Sequence, residues 1–441
     1  MHILIYSYNY YPEPIGIAPL MTELAEGLVE QGHEVRVITG MPNYPEREVY
    51  EEYRNKWYVT EKRNGVTIQR CFLRIKSKPN LVDRLLLELS FVFSSLPQAL
   101  NGWRPDVIFV TIPPLFVTLP AFFLGWLYRC PVVLNVQDIL TEAAKNVGLI
   151  QNKLMIRALS ELEKFAYKNA HSISVIADCF VDNLVKKGVS PSKIVRISNW
   201  VNVNFIRPLP KLNNPFRVAS KLEDKFVVLY SGNIALTQGL ETAIASAAFL
   251  KDIPEIVFAI VGETKALEEL RKCCRKYNTN NVLLLPLQPR EKLPQMLAAA
   301  DVGLVLQKRN VVCFNMPSKI PLLLASGCPI IASVPSKGTA AKAVRQSGGG
   351  VVVAPESPSS LAAAILDLYK KPAKAAELGK KGRKFAVDKY SYESAIAQYE
   401  ALFADAKFLR NADAIVKQVD DLKVLPELVV RHTNYDGSSI N

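Results

Sequence analysis

The chain has 441 residues, 49% of them apolar, and carries 54 basic against 41 acidic side chains for a formal net charge of +13. That much apolar material supplies two or three ordinary cores and excludes disordered and low-complexity classes. The positive balance suits an anionic partner, whether nucleotide, membrane surface or nucleic acid, and does not choose among them.

The first predicted unit is a short apolar strand, Ile3–Ser7, followed by a loop from Asn9 to Ile17 that carries Pro12, Pro14 and Gly16. A helix then runs to Gly32, and Glu34–Thr39 reads as the next strand. Trp57–Cys71 contains Asn64-Gly65 between two β-rich runs, which is a hairpin signal. No charge occurs from Val107 to Tyr128, a length that suggests a membrane span. Pro113, Pro114 and Pro120 divide it, so it reads as a buried strand, Val107–Thr111, and a buried helix, Leu115–Tyr128. Strand Pro131–Asp138, helix Lys153–Asn169, strand Ser172–Ala177, helix Cys179–Lys187 and strand Lys193–Ser198 continue the alternation.

Pro208, Pro210 and Pro215 interrupt the periodicity, so residues 1–199 form one expected domain and 200–215 a linker. A second domain is expected over 216–390. Its first strand, Phe226–Tyr230, runs into Ser231-Gly232-Asn233, and Gln238-Gly239 opens a helix. Further strands are expected at Glu255–Val261, Val282–Leu285, Val302–Leu306, Pro329–Ala332 and Gly350–Val353. Tyr392–Ala404 reads as a closing helix, within 391–405, and residues 406–441 as a partly mobile extension. The fold class is therefore α/β, with two Rossmann-like parallel sheets facing a cleft. A glycine loop at the carboxyl end of a strand is where such sheets bind ligands.

Other chemistries find little support. Seven scattered cysteines without a C-x-x-C fit a reducing, cytoplasmic compartment. No H-x-x-x-H and no D-x-D occurs, so no metal site is expected. No G-x-G-x-x-G follows a strand, against a dehydrogenase, and nothing beyond net charge suggests nucleic acid. The chain opens directly into a strand, so no signal peptide is read.

Taken in order, Tyr10–Ala18, Gly32–Thr39, Leu162-Glu163, Ser198–Asn202, Tyr230–Ile234, Gln238–Glu241, Val261–Glu263, Ala300–Val302 and Met316–Ala332 resemble the family 4 glycosyltransferases of GT-B fold, over roughly residues 1–405. Gln137-Asp138, Glu142–Ala144, Gly148-Leu149 and Met316–Lys319 are most similar to the branch that builds bacterial exopolysaccharide, colanic acid and O-antigen units. The resemblance implies transfer of a sugar from a UDP- or GDP-linked donor, with retention, to a polyprenyl-diphosphate-linked or other saccharide acceptor. It implies no cofactor, and a closing helix that crosses back to the first domain.

A departing diphosphate needs a positive field, and backbone N–H groups at glycine turns supply one. The resemblance therefore directs attention to Gly16 and Ile17 in the first domain and to Gly232 and Asn233 in the second; equally, these glycines could simply make tight turns. Asn233 and Gln238 stand where the family carries an Arg and a Lys, and Phe314 and Leu322 where it carries a pair of glutamates. Ser318 and Lys319 are the replacement candidates for contacting the diphosphate, the bland alternative being a solvated lysine at a helix start. Asp138, with Glu142, is the candidate for positioning the acceptor hydroxyl or donor sugar, unless Asp138 only caps the next helix. Arg70, Arg74, Lys76, Lys78 and Arg84, set among Phe72, Leu73, Ile75 and Leu81, suit an anionic membrane surface or else form a solvated basic loop. Two alternatives to the transferase are another enzyme, a nucleotide-sugar epimerase of the same double fold, and a catalytically weak sugar-nucleotide-binding scaffold subunit.

Overall fold

The computed structural model describes residues 1–408 except 15, 45, 78, 148–151 and 236. Gly148-Leu149 and the tail from 409 onward thus lie outside the described residues. Two sheets divide the strands. The first has eight, β1 (His2–Tyr6), β2 (Glu34–Gly40), β3 (Tyr58–Arg63), β4 (Val66–Cys71), β5 (Val107–Ile112), β6 (Val132–Val136), β7 (Ser172–Val175) and β8 (Ile194–Arg196), in the order β3-β4-β2-β1-β5-β6-β7-β8. The second has six, β9 (Phe226–Ser231), β10 (Ile256–Gly262), β11 (Val282–Pro286), β12 (Val302–Leu306), β13 (Ile330–Ser333) and β14 (Gly350–Val353), in the order β11-β10-β9-β12-β13-β14.

Every pairing is parallel except β3 with β4. That hairpin turns at Asn64 and Gly65, both at positive φ (44° and 82°), the backbone a two-residue hairpin turn demands. The central strands are mostly apolar because helices cover both faces of a parallel sheet; all six residues of β5 are buried. The charge-free stretch resolves into β5 and the helix Thr118–Leu127. No helix among the described residues is long and apolar enough to cross a membrane.

In each sheet the strand order reverses once, between β1 and β5 and between β9 and β12. Such switch points leave a crevice at the carboxyl ends of the strands. The loops after β1 and β9, which hold Gly16 and Gly232, therefore open at the two crevices.

The closing helix spans 392–408 of the described chain, so the expected boundary at 405 moves outward. Its residues Ile396, Tyr399, Phe403 and Ala406 are buried in one cluster with Ile3, Ile5 and Phe109 of the first domain. Ala406 is a core residue of this contact rather than the start of an extension. Asn135 donates from Nδ2 to Tyr399 Oη at 3.1 Å, which ties the helix to β6 through a buried polar contact.

Candidate active site

The Gly232 turn gathers the second domain's half of the site. Gly232 lies at φ 121°, a conformation that disfavours any side chain. A Cβ there would stand 3.8 Å from Lys319 Nζ. That ammonium sits 3.3 Å from the centroid of the Tyr230 ring and donates to Gln238 Oε1 at 3.4 Å. Tyr230 Oη donates to the Asn233 carbonyl at 2.7 Å and also bonds the Gln238 amide oxygen.

Thus Gly232, Gln238 and Lys319, picked out separately in the sequence, meet at one point. No carboxylate pairs with Lys319 among the described residues; a ring face and an amide oxygen are its partners. Although some of the side chain reaches the surface, protein encloses its charged end. Burial pulls its pKa well below the ordinary lysine value. An enclosed ammonium beside a glycine turn has the chemistry to pair with an anion.

Ser318 is exposed and makes no side-chain bond to the helix Lys319–Ala325, so it does not cap that helix. Asn233 is exposed on the same turn. Gly16, at φ 72°, is exposed with nothing within 4 Å of a notional Cβ, and Ile17 beside it is half-buried.

The first domain contributes carboxyls. Asp138 follows β6 and accepts a hydrogen bond from Asn315 Nδ2 of the second domain at 3.0 Å. It keeps some surface open to the cleft, yet its carboxyl is packed about by protein, and this desolvation pushes the pKa up to about 7. Its backbone neighbour Ile139 donates to the Phe314 carbonyl at 3.1 Å. Glu142 is placed differently from the expectation: its carboxylate lies 3.5 Å from Lys187 Nζ, which also pairs with the buried Glu163 at 2.5 Å. Glu142 thus has a lysine of its own domain as its partner, where Asp138 has an amide of the other domain.

Where the family's two glutamates would stand, the chain has packing instead. Phe314 is buried in the first domain's core cluster together with Val311, and Leu322 lines the second domain's core. The Phe314 segment thus fastens one domain to the other. Cys179 and Thr339, 2.7 Å apart between Sγ and Oγ1, and the Lys342–Asp178 ion pair at 2.7 Å join them further along.

Two site residues escape sequence reasoning: Tyr230 reads as the last residue of a buried strand, and Asn315 has no motif of its own. Glu263 follows β10, and its pKa is raised by desolvation and then by Glu46 of the first domain. Among the described residues no group of three or more His, Cys, Asp or Glu side chains is placed to hold a metal ion.

Two family models match the chain: a glycosyl transferase 4-like domain over residues 16–200 and glycosyl transferases group 1 over residues 213–385. A putative colanic acid biosynthesis glycosyl transferase of Escherichia coli, WcaI, is 32% identical over 373 residues, 83% of this chain and 91% of that one. A probable glycosyltransferase of Pseudomonas aeruginosa, WbjE, is 25% identical over 67% of this chain and 75% of its own. Among solved structures, sucrose-phosphate synthase of Thermosynechococcus elongatus superposes with a TM-score of 0.71 at 18% identity, covering 92% of this chain and 98% of that one. Anabaena HepE in complex with UDP-glucose gives 0.70 at 16% identity, covering 92% and 100%.

Proposed function

The chain belongs to the glycosyltransferases of group 1 with a 4-like first domain, the GT-B family, and from that premise we propose that it moves a sugar from a nucleoside diphosphate to a saccharide acceptor in polysaccharide assembly. The observation that carries this reading is the Lys319 ammonium, enclosed without a carboxylate partner beside the Gly232 turn. A diphosphate would supply the missing negative charge and restore the lysine's proton. Lys319 would then do for the leaving group what the family's Arg and Lys do, since the Gly232 N–H already donates to the Val261 carbonyl at 3.1 Å.

In this reading the donor is UDP- or GDP-linked and its diphosphate lies in the second domain. The acceptor is a polyprenyl-diphosphate-linked or other saccharide and enters from the first. Transfer with retention occurs on one face of the sugar: the acceptor oxygen bonds the anomeric carbon as the bond to the diphosphate breaks. The acceptor's proton passes to the departing phosphate oxygen, so no separate base is required. Asp138 orients the acceptor hydroxyl, and the Phe314 contact closes the cleft against water. Support comes from the colanic-acid relative and from the UDP-glucose complex of the structural neighbour.

Metal-free calorimetry against UDP, GDP and their sugar conjugates tests the proposal. One nucleotide should bind the parent chain and fail to bind Lys319→Ala. A folded parent chain that binds none of them overturns it and favours the scaffold reading, for which the substituted family positions Asn233, Gln238, Phe314 and Leu322 argue.

A further inference from the structure

The basic stretch named in the sequence does not make a membrane face by itself. Arg70 is fully buried, its guanidinium held by Glu61 Oε1 at 2.5 Å and by the Tyr11 carbonyl at 2.6 Å. Lys76 is tied to Asp83 at 2.7 Å, and Lys78 lies outside the described residues. Arg74 and Arg84 are exposed.

What the fold exposes beside them is apolar. On the helix Leu81–Ala99 and its cap, Val82, Phe93 and Leu100 are 61%, 68% and 45% exposed, and their spacing of 11 and 7 residues puts them on one face. On the helix Thr118–Leu127, Phe123 and Trp126 are 44% and 73% exposed, again on a shared face. The two helices pack side by side, and Tyr128 Oη donates to the Ala99 carbonyl at 3.0 Å. Both bury their other sides in one cluster against the first sheet, through Phe91 and Leu124, so the exposed stripes point the same way.

Cations flank this face. The Arg74 N–H donates to Ser90 Oγ at 2.9 Å, which lays that segment along the first helix. Arg129 is exposed two residues beyond the second. Large aromatic and aliphatic side chains with Arg74 on a segment beside one helix and Arg129 just past the other match an anionic bilayer, whose acyl boundary takes the apolar groups and whose headgroups take the charge. The second helix has 10 residues, about 15 Å of rise, so it can lie in the interface and cannot span it. It is also joined to the carboxyl end of β5 by residues 113–117, at the first sheet's switch point, so a bilayer on this face would lie beside the acceptor half of the cleft.

We infer that the paired helices Leu81–Ala99 and Thr118–Leu127 form a docking surface for an anionic lipid bilayer. The inference is independent of which sugar is transferred. Its test is flotation of the full chain with vesicles of phosphatidylcholine alone and of phosphatidylcholine with 30% phosphatidylglycerol. The parent should float with the anionic vesicles, and a Phe93→Ser, Trp126→Ser double variant should lose about tenfold in bound fraction. Arg74→Gln with Arg129→Gln should lose the preference for anionic over neutral vesicles. Nucleotide calorimetry on the same samples, without lipid, reports folding separately from docking. A parent that stays in the soluble fraction overturns the inference. So does binding that the apolar variant leaves unchanged, which would make it diffuse charge attraction, or a dimer by sedimentation that the apolar variant dissociates, which would make the face a contact between two copies.

Discussion

The two glycine loops begin alike, as strand, turn and helix at a sheet's switch point, and end up with opposite chemistry. At the Gly232 loop the nearest charged group is an enclosed cation without a carboxylate; at the Gly16 loop no atom lies within 4 Å of a notional Cβ. Around its crevice the first domain instead has acids with raised pKa values. Glu13 is buried and accepts from the backbone N–H groups of Asn43 and Tyr44 at 2.9 Å each, and burial raises its pKa. Asp138 is raised to about 7, and so is Glu88 on the helix Leu81–Ala99. The lesson is that a repeated supersecondary unit sets only where a ligand sits. In the proposed function, the sign of the enclosed charge separates the loop that takes the anionic leaving group from the one that takes the hydroxyl-bearing acceptor.

The sharpest way to break this contrast is Lys319→Met. Nucleotide affinity should fall by about a hundredfold, the scale of a lost charge-assisted phosphate contact. The unliganded protein should become more stable, because an enclosed ammonium without a counter-charge opposes folding. The sign follows from linkage. The folded-state pKa lies below 10.5, so between the two values the unfolded chain binds the extra proton and parent stability rises with pH. Calorimetry and thermal melting on the same variant check both halves; a variant that binds nucleotide like the parent removes the second domain's side of the contrast.

Asp138→Asn should act on the other side. Turnover should drop by at least about tenfold while donor affinity stays within about twofold, since the residue orients the acceptor rather than the nucleotide. Its folded pKa of about 7 lies above the ordinary 3.8, so the folded chain holds a proton the unfolded chain has lost between those values. Parent stability therefore falls as pH rises through that window, so the melting temperature of the Asn variant minus that of the parent should be larger at pH 8 than at pH 5. An unchanged difference at the two pH values means that the carboxyl is solvated after all.

A smaller effect is expected at Gly232→Ala. The Cβ meets Lys319 Nζ at an ordinary 3.8 Å, so the cost comes from φ 121°. Nucleotide affinity should weaken by about tenfold as the turn relaxes. The matching Gly16→Ala, at φ 72° in open space, should change nucleotide affinity less than Gly232→Ala does. The smallest effect belongs to Glu142→Gln. It removes a 3.5 Å ion pair whose lysine keeps Glu163, so turnover should stay within about twofold and stability within about 1 kcal/mol. A large loss of turnover would return Glu142 to the site.

Much of the architecture was legible in the sequence because a strand or helix advertises itself locally. Lys153–Asn169, Val302–Leu306 and Gly350–Val353 have the boundaries that patterning gives, and the Asn64-Gly65 turn makes the hairpin its dipeptide demands. The order of motifs identified the family. Patterning could not distinguish a solvated arginine from one enclosed by a distant partner. Arg70 lies in a run of exposed-looking cations, yet Glu61 on the adjacent antiparallel strand neutralises it in the interior. Glu142 reads like Asp138, four residues away, and only Lys187, brought in from the helix end after β7, separates their roles.

The sequence by itself determined the two parallel sheets, the switch-point loops and the family, since hydrophobic period, turn chemistry and motif order are properties of neighbours along the chain. Tertiary structure alone decided which charges are enclosed and what faces them. Lys319 reaches Tyr230 and Gln238 across more than eighty residues, and Asp138 meets Asn315 across 177. Electrostatic character follows from desolvation and from partners in space, and neither is written in the identity of a residue or of its sequence neighbours.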